Sequence, residues 1–252
     1  MGSLAFQEKF SKSTAVNYKS QSIKRFFDNT EVYLRKDFGV SVRAIAVRSL
    51  LGELNSSAIL DLGCGDGRVS LQYLSYSNKL TLVDLSEKML ERARVNTSGA
   101  LKRNVEYVNQ DFLDLAWKDS FDVVLCIGVL AHVVSVENAV AQVATFLRSG
   151  GRCIMQVTDS ERLIAKIEGF YHSKQSRAQS YGYSLNSPTL LKIVSLARSK
   201  GLKLRDERRY SLLLPGMGKL PNRWLYEYQL KTLNNRFLSR YGSEVLLLFS
   251  KD

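Results

Sequence analysis

Ile59-Leu60-Asp61-Leu62-Gly63-Cys64-Gly65-Asp66-Gly67 decides the fold of this chain. A short apolar run ends in a glycine-rich turn, and a helical stretch follows. Glycines let the backbone turn tightly and approach a ligand closely. A dinucleotide fingerprint would read Gly-x-Gly-x-x-Gly. This turn reads Gly-x-Gly-x-Gly, with Arg68 where the third dinucleotide glycine belongs. Asp61 stands two residues before the first glycine. A carboxylate there repels a pyrophosphate and suits a cationic ligand. A glycine turn with no ligand is the plain alternative, so the surrounding sequence has to decide.

Outward from the turn, short apolar runs alternate with helical segments. Ala58–Leu62, Leu80–Val83, Val105–Val108, Phe121–Ile127 and Arg152–Val157 read as strands. They are solidly apolar, as expected for strands covered on both faces of a parallel sheet. Helices are expected at about 68–76, 86–96 and 135–148; the last puts Val136, Ala139, Val140, Val143 and Phe146 on one face. Upstream, Gln21–Phe38 has roughly helical spacing, and Val42, Ile45, Ala46, Ser49, Leu50 and Leu54 form a clearer amphipathic helix. Downstream, residues 159–187 are too long for an ordinary connection. A helix is expected at about 188–200 with Pro188 in its first turn. Leu202–Tyr210 and Glu244–Ser250 read as the last two strands, separated by a second insertion, 211–243. The rhythm predicts one α/β domain.

Four further segments fall in order after the glycine turn: Leu82-Val83-Asp84-Leu85-Ser86, Asn109-Gln110-Asp111-Phe112, Phe121-Asp122-Val123-Val124 and Leu147-Arg148-Ser149-Gly150-Gly151-Arg152. With Asp-x-Gly-x-Gly-x-Gly after the first strand, this set resembles the class I S-adenosylmethionine-dependent methyltransferases. The family usually has Pro where this chain has Ser149. The resemblance spans about residues 42–158 plus the last two strands. It implies a seven-stranded, mostly parallel, doubly wound sheet with an antiparallel last strand, and insertions after strands five and six. It also implies S-adenosylmethionine as cofactor and S-adenosylhomocysteine as product. Asp84 lies nineteen residues after Gly65 and takes the ribose-binding place. Asp111 takes the adenine-amine place, with Asp114 as its rival, and Phe112 flanks the base or belongs to the core. Asp61, Gly63, Cys64, Gly65 and Leu85 line the cofactor, and Ile127, Gly128 and Val129 lie where the methyl group should sit. Asp122, at the start of its strand, is structural.

A hydroxyl nucleophile needs a base, and imidazole is tuned for that near neutral pH. His132 follows strand four at the ligand-binding edge and is the candidate; a structural role is the alternative. The resemblance implies that residues 1–55 form an N-terminal helical lid, 56–158 the cofactor-binding core and 159–252 a substrate-side half, with the N-terminal helices and the insertions 159–187 and 211–243 converging over that edge. Tyr18, Tyr33, Tyr171, His172, Tyr181 and Tyr183 are candidates for lining the lid. Leu212-Leu213-Leu214-Pro215-Gly216-Met217 reads as an apolar wall, a membrane-touching edge or core.

The chain has 252 residues with 36 basic and 24 acidic side chains, and 45% hydrophobic residues. That composition excludes disorder over most of its length. No apolar run reaches the ~18 residues of a membrane span. Cys64, Cys126 and Cys153 lie far apart in apolar or glycine-rich contexts, so reduced buried thiols and a cytoplasmic location are expected. With two histidines and no zinc spacing, no metal is expected. The charge is uneven: residues 51–158 carry ten basic and twelve acidic residues, while residues 159–252 carry seventeen and eight. The leading expectation is methyl transfer to oxygen or nitrogen of a small organic molecule, amphipathic or anionic. The alternatives are an RNA ribose methyltransferase using the basic flanks, and a catalytically silent cofactor-binding partner subunit. Oligomeric state is not legible.

Overall fold

Ala58–Leu62, the run before the glycine turn, is the central strand β1 of a seven-stranded sheet in this computed structural model. The structure describes residues 19–28, 37–159, 183–214, 217 and 220–252. The other strands are β2 (Lys79–Asp84), β3 (Val105–Asn109), β4 (Phe121–Cys126), β5 (Leu147–Thr158), β6 (Leu202–Tyr210) and β7 (Glu244–Lys251). Their spatial order is β3-β2-β1-β4-β5-β7-β6. β1 to β5 pair in parallel, and β7 runs antiparallel to both β5 and β6. The order reverses between β1 and β4, the place where open α/β sheets bind ligands.

The helices are α1 (residues 19–28), α2 (Asp37–Leu51), α3 (Glu87–Asn96), α4 (Val136–Phe146), α5 (Leu190–Ser199), α6 (Asn222–Asn234) and α7 (Arg236–Ser239). Alternation along the strands splits the core into two layers. Leu60, Leu62, Val124, Cys126 and Met155 pack with Ala139, Val140 and Val143 of α4 and Ile193 and Ala197 of α5. Ile59, Val123, Leu125 and Ile154 face the other way, onto Val42, Ala46 and Val47 of α2 and Leu90 and Ala93 of α3. Burial on both faces is why these strands read as apolar runs. All three cysteines are buried free thiols. Among the described residues, no helix is long and apolar enough to cross a membrane.

The structure corrects three boundaries. The helix expected at 68–76 is a single 3₁₀ turn, Leu71–Tyr73, and Leu74 is already extended. Asn78 explains it. Its Nδ2 donates to the Tyr73 carbonyl at 2.8 Å and the Leu54 carbonyl at 2.9 Å, and its Oδ1 accepts from Ser57 N. A side chain thus takes the carbonyl that a continuing helix would need. Pro188 precedes the first turn of α5 and lies outside it. The cap is Thr189, whose hydroxyl accepts from Lys192 N. β5 begins at Leu147, paired with Phe121, before a register shift leads into Val123–Arg152 pairing.

Asp122 is structural, as expected. Its Oδ2 accepts from Ala58 N at 2.7 Å and its Oδ1 from Arg148 at 3.0 Å, tying β1 to β4 at the amino edge. The second insertion contains α6 and α7. Leu212 is core and Leu214 is exposed. Near its end, buried Gly242 lies flat against Tyr210, the last residue of β6.

Candidate functional site

The glycine turn is built by left-handed backbone at three places: Gly63 (φ 63°), Gly65 (φ 56°) and Gly67 (φ 77°). At Gly63 the reason is also steric. A β-carbon there would lie 2.6 Å from Val129 Cγ2, so the ends of β1 and β4 can approach only around a glycine. Cys64 N then donates to the Val83 carbonyl at 3.0 Å, which lays the turn beside the end of β2.

Asp84 closes that junction. Its Oδ2 accepts from Gly65 N at 2.8 Å and its Oδ1 from Ser86 N at 2.9 Å. Asn109 Nδ2 ties the Asp84 and Leu85 carbonyls, at 3.0 Å each. Burial pushes the Asp84 carboxyl up to about 6, and the Asp28 charge adds to the rise; the two backbone donors oppose it. Asp61, also buried, is pushed up to about 7, mainly by burial, with Asp84 and Asp66 adding repulsion and Ser70 opposing. Its Oδ2 has no hydrogen-bond partner among the described residues. A buried acceptor without a donor is costly, so this oxygen is set apart from the rest of the core. Asp66 is buried as well and pairs with Arg68 at 2.7 Å.

On the far side, Asp111 caps the 3₁₀ turn Phe112–Asp114 by accepting from Leu113 N at 3.0 Å. Phe112 is buried, Asp111 is half-buried with its carboxyl raised by burial, and Asp114 is exposed. Of the two acids after β3, Asp111 is thus the one turned toward the protein.

The end of β4 has the opposite electrostatic character. Ile127 is buried, and Gly128 follows with φ 74°. A β-carbon at Gly128 would meet Arg43 Nη1 at 3.3 Å, so the guanidinium of α2 lies directly against this turn. Arg43 Nε donates to the Tyr210 hydroxyl at 3.2 Å. His132 N donates to the Val129 carbonyl at 2.8 Å, completing the turn. His132 Nδ1 and the Tyr183 hydroxyl share a 2.8 Å hydrogen bond, and Phe27 of α1 stands edge-on to the imidazole at 5.2 Å. Burial, then the charges of Lys19 and Arg43, push His132 down to about 4. Asn186 holds this turn through its backbone N to the Ala131 carbonyl at 2.8 Å and its Nδ2 to the Val133 carbonyl at 2.6 Å. α1 reaches the end of β2 too, where Ser86 Oγ donates to Asp28 Oδ1 at 2.6 Å.

The expected residues Asp61, Gly63, Cys64, Gly65, Asp84, Leu85, Asp111, Phe112, Ile127, Val129, His132 and Tyr183 all fall along the carboxyl edge of β1 to β4. Tyr18, Tyr33, Tyr171, His172 and Tyr181 lie outside the described residues. Arg43, Asp28, Lys19 and Asn186 were not anticipated. Arg43 had one signal: it is a cation within a helix whose neighbours Val42, Ala46 and Val47 are all core.

The edge therefore has an acidic end, Asp61 to Asp111, and a basic end, Arg43 and Lys19. Residues 60–155 match a family model described as a methyltransferase domain. A ubiquinone biosynthesis O-methyltransferase of Coxiella burnetii is 30% identical over 101 residues, 39% of this chain and 42% of that protein. Its counterpart in Xanthomonas euvesicatoria is 28% identical over 164 residues, 61% of this chain and 66% of that one. The chain thus spans less than half the length of the first curated relatives it matches. Among solved structures, an S-adenosylmethionine-dependent methyltransferase from Thermotoga maritima superposes with TM-score 0.64 at 21% identity, covering 93% of this chain and all of that one. Magnesium protoporphyrin IX methyltransferase from Synechocystis, with bound S-adenosylhomocysteine, gives 0.62 at 13%, over 93% of this chain and all of that one. Domain match, strand order and glycine turn agree: residues 60–155 carry a methyltransferase domain, and the seven-stranded sheet has the fold of solved S-adenosylmethionine-dependent methyltransferases.

Proposed function

We propose that this protein methylates an oxygen or nitrogen of a small organic molecule. The observation that carries the reading is one sheet edge that brings together Asp61, whose buried Oδ2 has no hydrogen-bond partner among the described residues, and Arg43 against Gly128. Relatives named as ubiquinone O-methyltransferases favour oxygen as the acceptor atom. When bound, S-adenosylmethionine supplies a methyl group already activated on sulfur. Asp84 would hold the ribose hydroxyls and Asp111 the adenine amine, against Phe112. Asp61 would face the positive part of the amino-acid portion, and Arg43 its carboxylate. Ile127, Gly128 and Val129 would line the path of the transferred group. Most of the work left to the protein is alignment and exclusion of water.

His132 and Tyr183 would hold the acceptor. An imidazole at about 4 is neutral at neutral pH, so it can accept a proton, though with little pull. An anion that offsets Lys19 or Arg43 raises its basicity only in part, because burial is the larger cause. His132→Ala is expected to slow methyl transfer by about 100-fold and to leave S-adenosylhomocysteine affinity unchanged. Full turnover across pH in this variant would make His132 purely structural.

The raised carboxyls set a pH dependence with a definite sign. Asp61 at about 7 and Asp84 at about 6 hold protons that the unfolded chain has already lost. Their contribution to the stability of the unliganded protein is full at low pH and lost as pH rises through 6 and 7. Cofactor binding wants the ionised forms, so it runs the other way. Affinity for S-adenosylhomocysteine should climb by up to roughly a hundredfold per pH unit below about 6, where both acids must ionise, by roughly tenfold between about 6 and 7, and level off above about 7. Calorimetric titration across pH 5 to 8 checks this, and a flat profile removes both acids from the contact.

The activity itself is tested by transfer of labelled methyl from S-adenosylmethionine into a cell extract. Label in a small-molecule fraction supports the reading. RNase-sensitive label overturns it in favour of RNA. Binding of S-adenosylhomocysteine with no transfer would indicate a silent cofactor-binding subunit.

A further inference from the structure

Among the described residues, twelve large apolar side chains stand exposed, and six of them lie in the second insertion: Leu214, Leu220, Trp224, Phe237, Leu238 and Tyr241. Trp224 is 64% exposed and Phe237 61%. Scattered singly, such residues mean little; gathered, they mark a contact surface. Met217 N donates to the Leu214 carbonyl at 3.1 Å and Leu220 N to the Met217 carbonyl at 2.9 Å, a compact run that leads into α6. α6 turns Leu225, Gln229, Thr232 and Leu233 inward, which leaves Arg223, Trp224, Glu227 and Lys231 outward. At the other end of the insertion, every residue from Arg236 to Tyr241 except Ser239 is exposed. Phe237 and Tyr241 meet edge to face at 5.6 Å, and the Arg240 guanidinium lies over the Phe237 ring at 6.0 Å. Ser243 N and Oγ both donate to the Ser211 carbonyl, at 3.2 and 3.1 Å, so the two ends of the insertion leave the sheet at one point. That point adjoins the ligand edge, because Gly242 lies against Tyr210, whose hydroxyl holds Arg43.

Charge and composition decide the occupant. From Pro221 to Ser243 the chain carries Arg223, Lys231, Arg236 and Arg240 against one acid, Glu227. A second copy of this face would meet it with like charge. Single-stranded RNA would use the rings and the arginines, but leucines offer a base no stacking face. Leucine and aromatic side chains rimmed by arginine are the composition that settles at the boundary between lipid headgroups and acyl chains. We propose that this face of the second insertion docks on a membrane surface containing anionic lipid. Leu214, Leu220, Trp224, Phe237 and Leu238 enter the boundary, while Lys231, Arg236 and Arg240 extend to the lipid phosphates. The docking goes beyond the methyl-transfer reading and does not rest on it.

Sedimentation of the full chain with vesicles tests this, using phosphatidylcholine alone and an equal mixture with phosphatidylglycerol. The mixed vesicles should bind, phosphatidylcholine alone should bind far less, and added salt should weaken the binding. The double change Arg236→Gln with Arg240→Gln should weaken it about 25-fold, about fivefold per arginine. Phe237→Ser should weaken it about tenfold. Fluorescence of the two tryptophans gives a second reading. Trp117 is packed on Phe121 and Phe146, at 5.5 and 5.9 Å, so a blue shift on mixed vesicles comes from Trp224 and is absent in Trp224→Phe. These positions are exposed, so melting temperature and S-adenosylhomocysteine affinity stay at the wild-type values. No binding to the mixed vesicles, or binding undiminished in the arginine and phenylalanine variants, overturns the inference. In the absence of vesicle binding, a dimer dispersed by Phe237→Ser assigns the face to a second copy, and oligouridylate binding lost with the arginines assigns it to RNA. Failure of the wild type to bind S-adenosylhomocysteine would overturn the methyl-transfer reading alone.

Discussion

Asp84→Ala is expected to weaken S-adenosylhomocysteine binding by about 100-fold, with little change in stability. Two charged hydrogen bonds to ribose hydroxyls, at roughly 1.5 kcal/mol each, give that factor. The stability expectation follows from two opposing magnitudes. Near neutral pH, keeping the carboxylate buried with its titration raised to about 6 costs the unliganded fold about 3 kcal/mol. Alanine removes that cost. It also strips the partner from Gly65 N and Ser86 N, which costs about 1–3 kcal/mol each. The two effects are of similar size and opposite sign, so the melting temperature should move little while affinity collapses. Asp84→Asn keeps the shape and one acceptor oxygen and should fall between. Calorimetric titration at pH 7.5 is the measurement. Unchanged affinity in Asp84→Ala would remove Asp84 from the cofactor contact and with it the alignment of the second strand.

Gly242→Ala should give a loss of stability near 3 kcal/mol, at the upper end of what overpacking costs. A β-carbon at Gly242 overlaps the Tyr210 carbonyl oxygen and lies 2.6 Å from its carbon and 2.7 Å from its nitrogen. All three are backbone atoms of a paired strand, so no rotamer change can make room. In a chain of this size the melting temperature should fall by roughly 10 °C. Cofactor affinity should fall too, because Tyr210 carries the hydroxyl that fixes Arg43. Gly39→Ala is the control, since nothing lies within 4 Å of a β-carbon there. It should be neutral or slightly stabilising, as alanine is the better helix former. A Gly242→Ala protein that melts with the wild type would show that the β6 end can shift freely.

The cofactor half was legible because it is written locally. A glycine that must adopt positive φ and an acid at a strand end leave their marks within a few residues. The spacing from Gly65 to Asp84 survives as one hydrogen bond between those two residues. The basic end was not legible because it is assembled across the chain. Arg43 meets Tyr210 across 167 positions, and Tyr183 meets His132 across 51. Asn186 anchors the turn after β4 from within a stretch that carries no periodic signal. The overlong helix at 68–76 failed for a related reason. Its apolar spacing is helical, yet a single asparagine five residues on takes the carbonyl that propagation needs. Long-range polar contacts have no period, so they leave no pattern to read.

Phe27 and Asp28 are consecutive residues, yet one ends against His132 and the other against Ser86. Adjacent residues of one helix thus reach two parts of the sheet edge, the turn after β4 and the turn after β2. Under the proposed function these are the acceptor end and the nucleoside end, and a shift of α1 as one body would open both together.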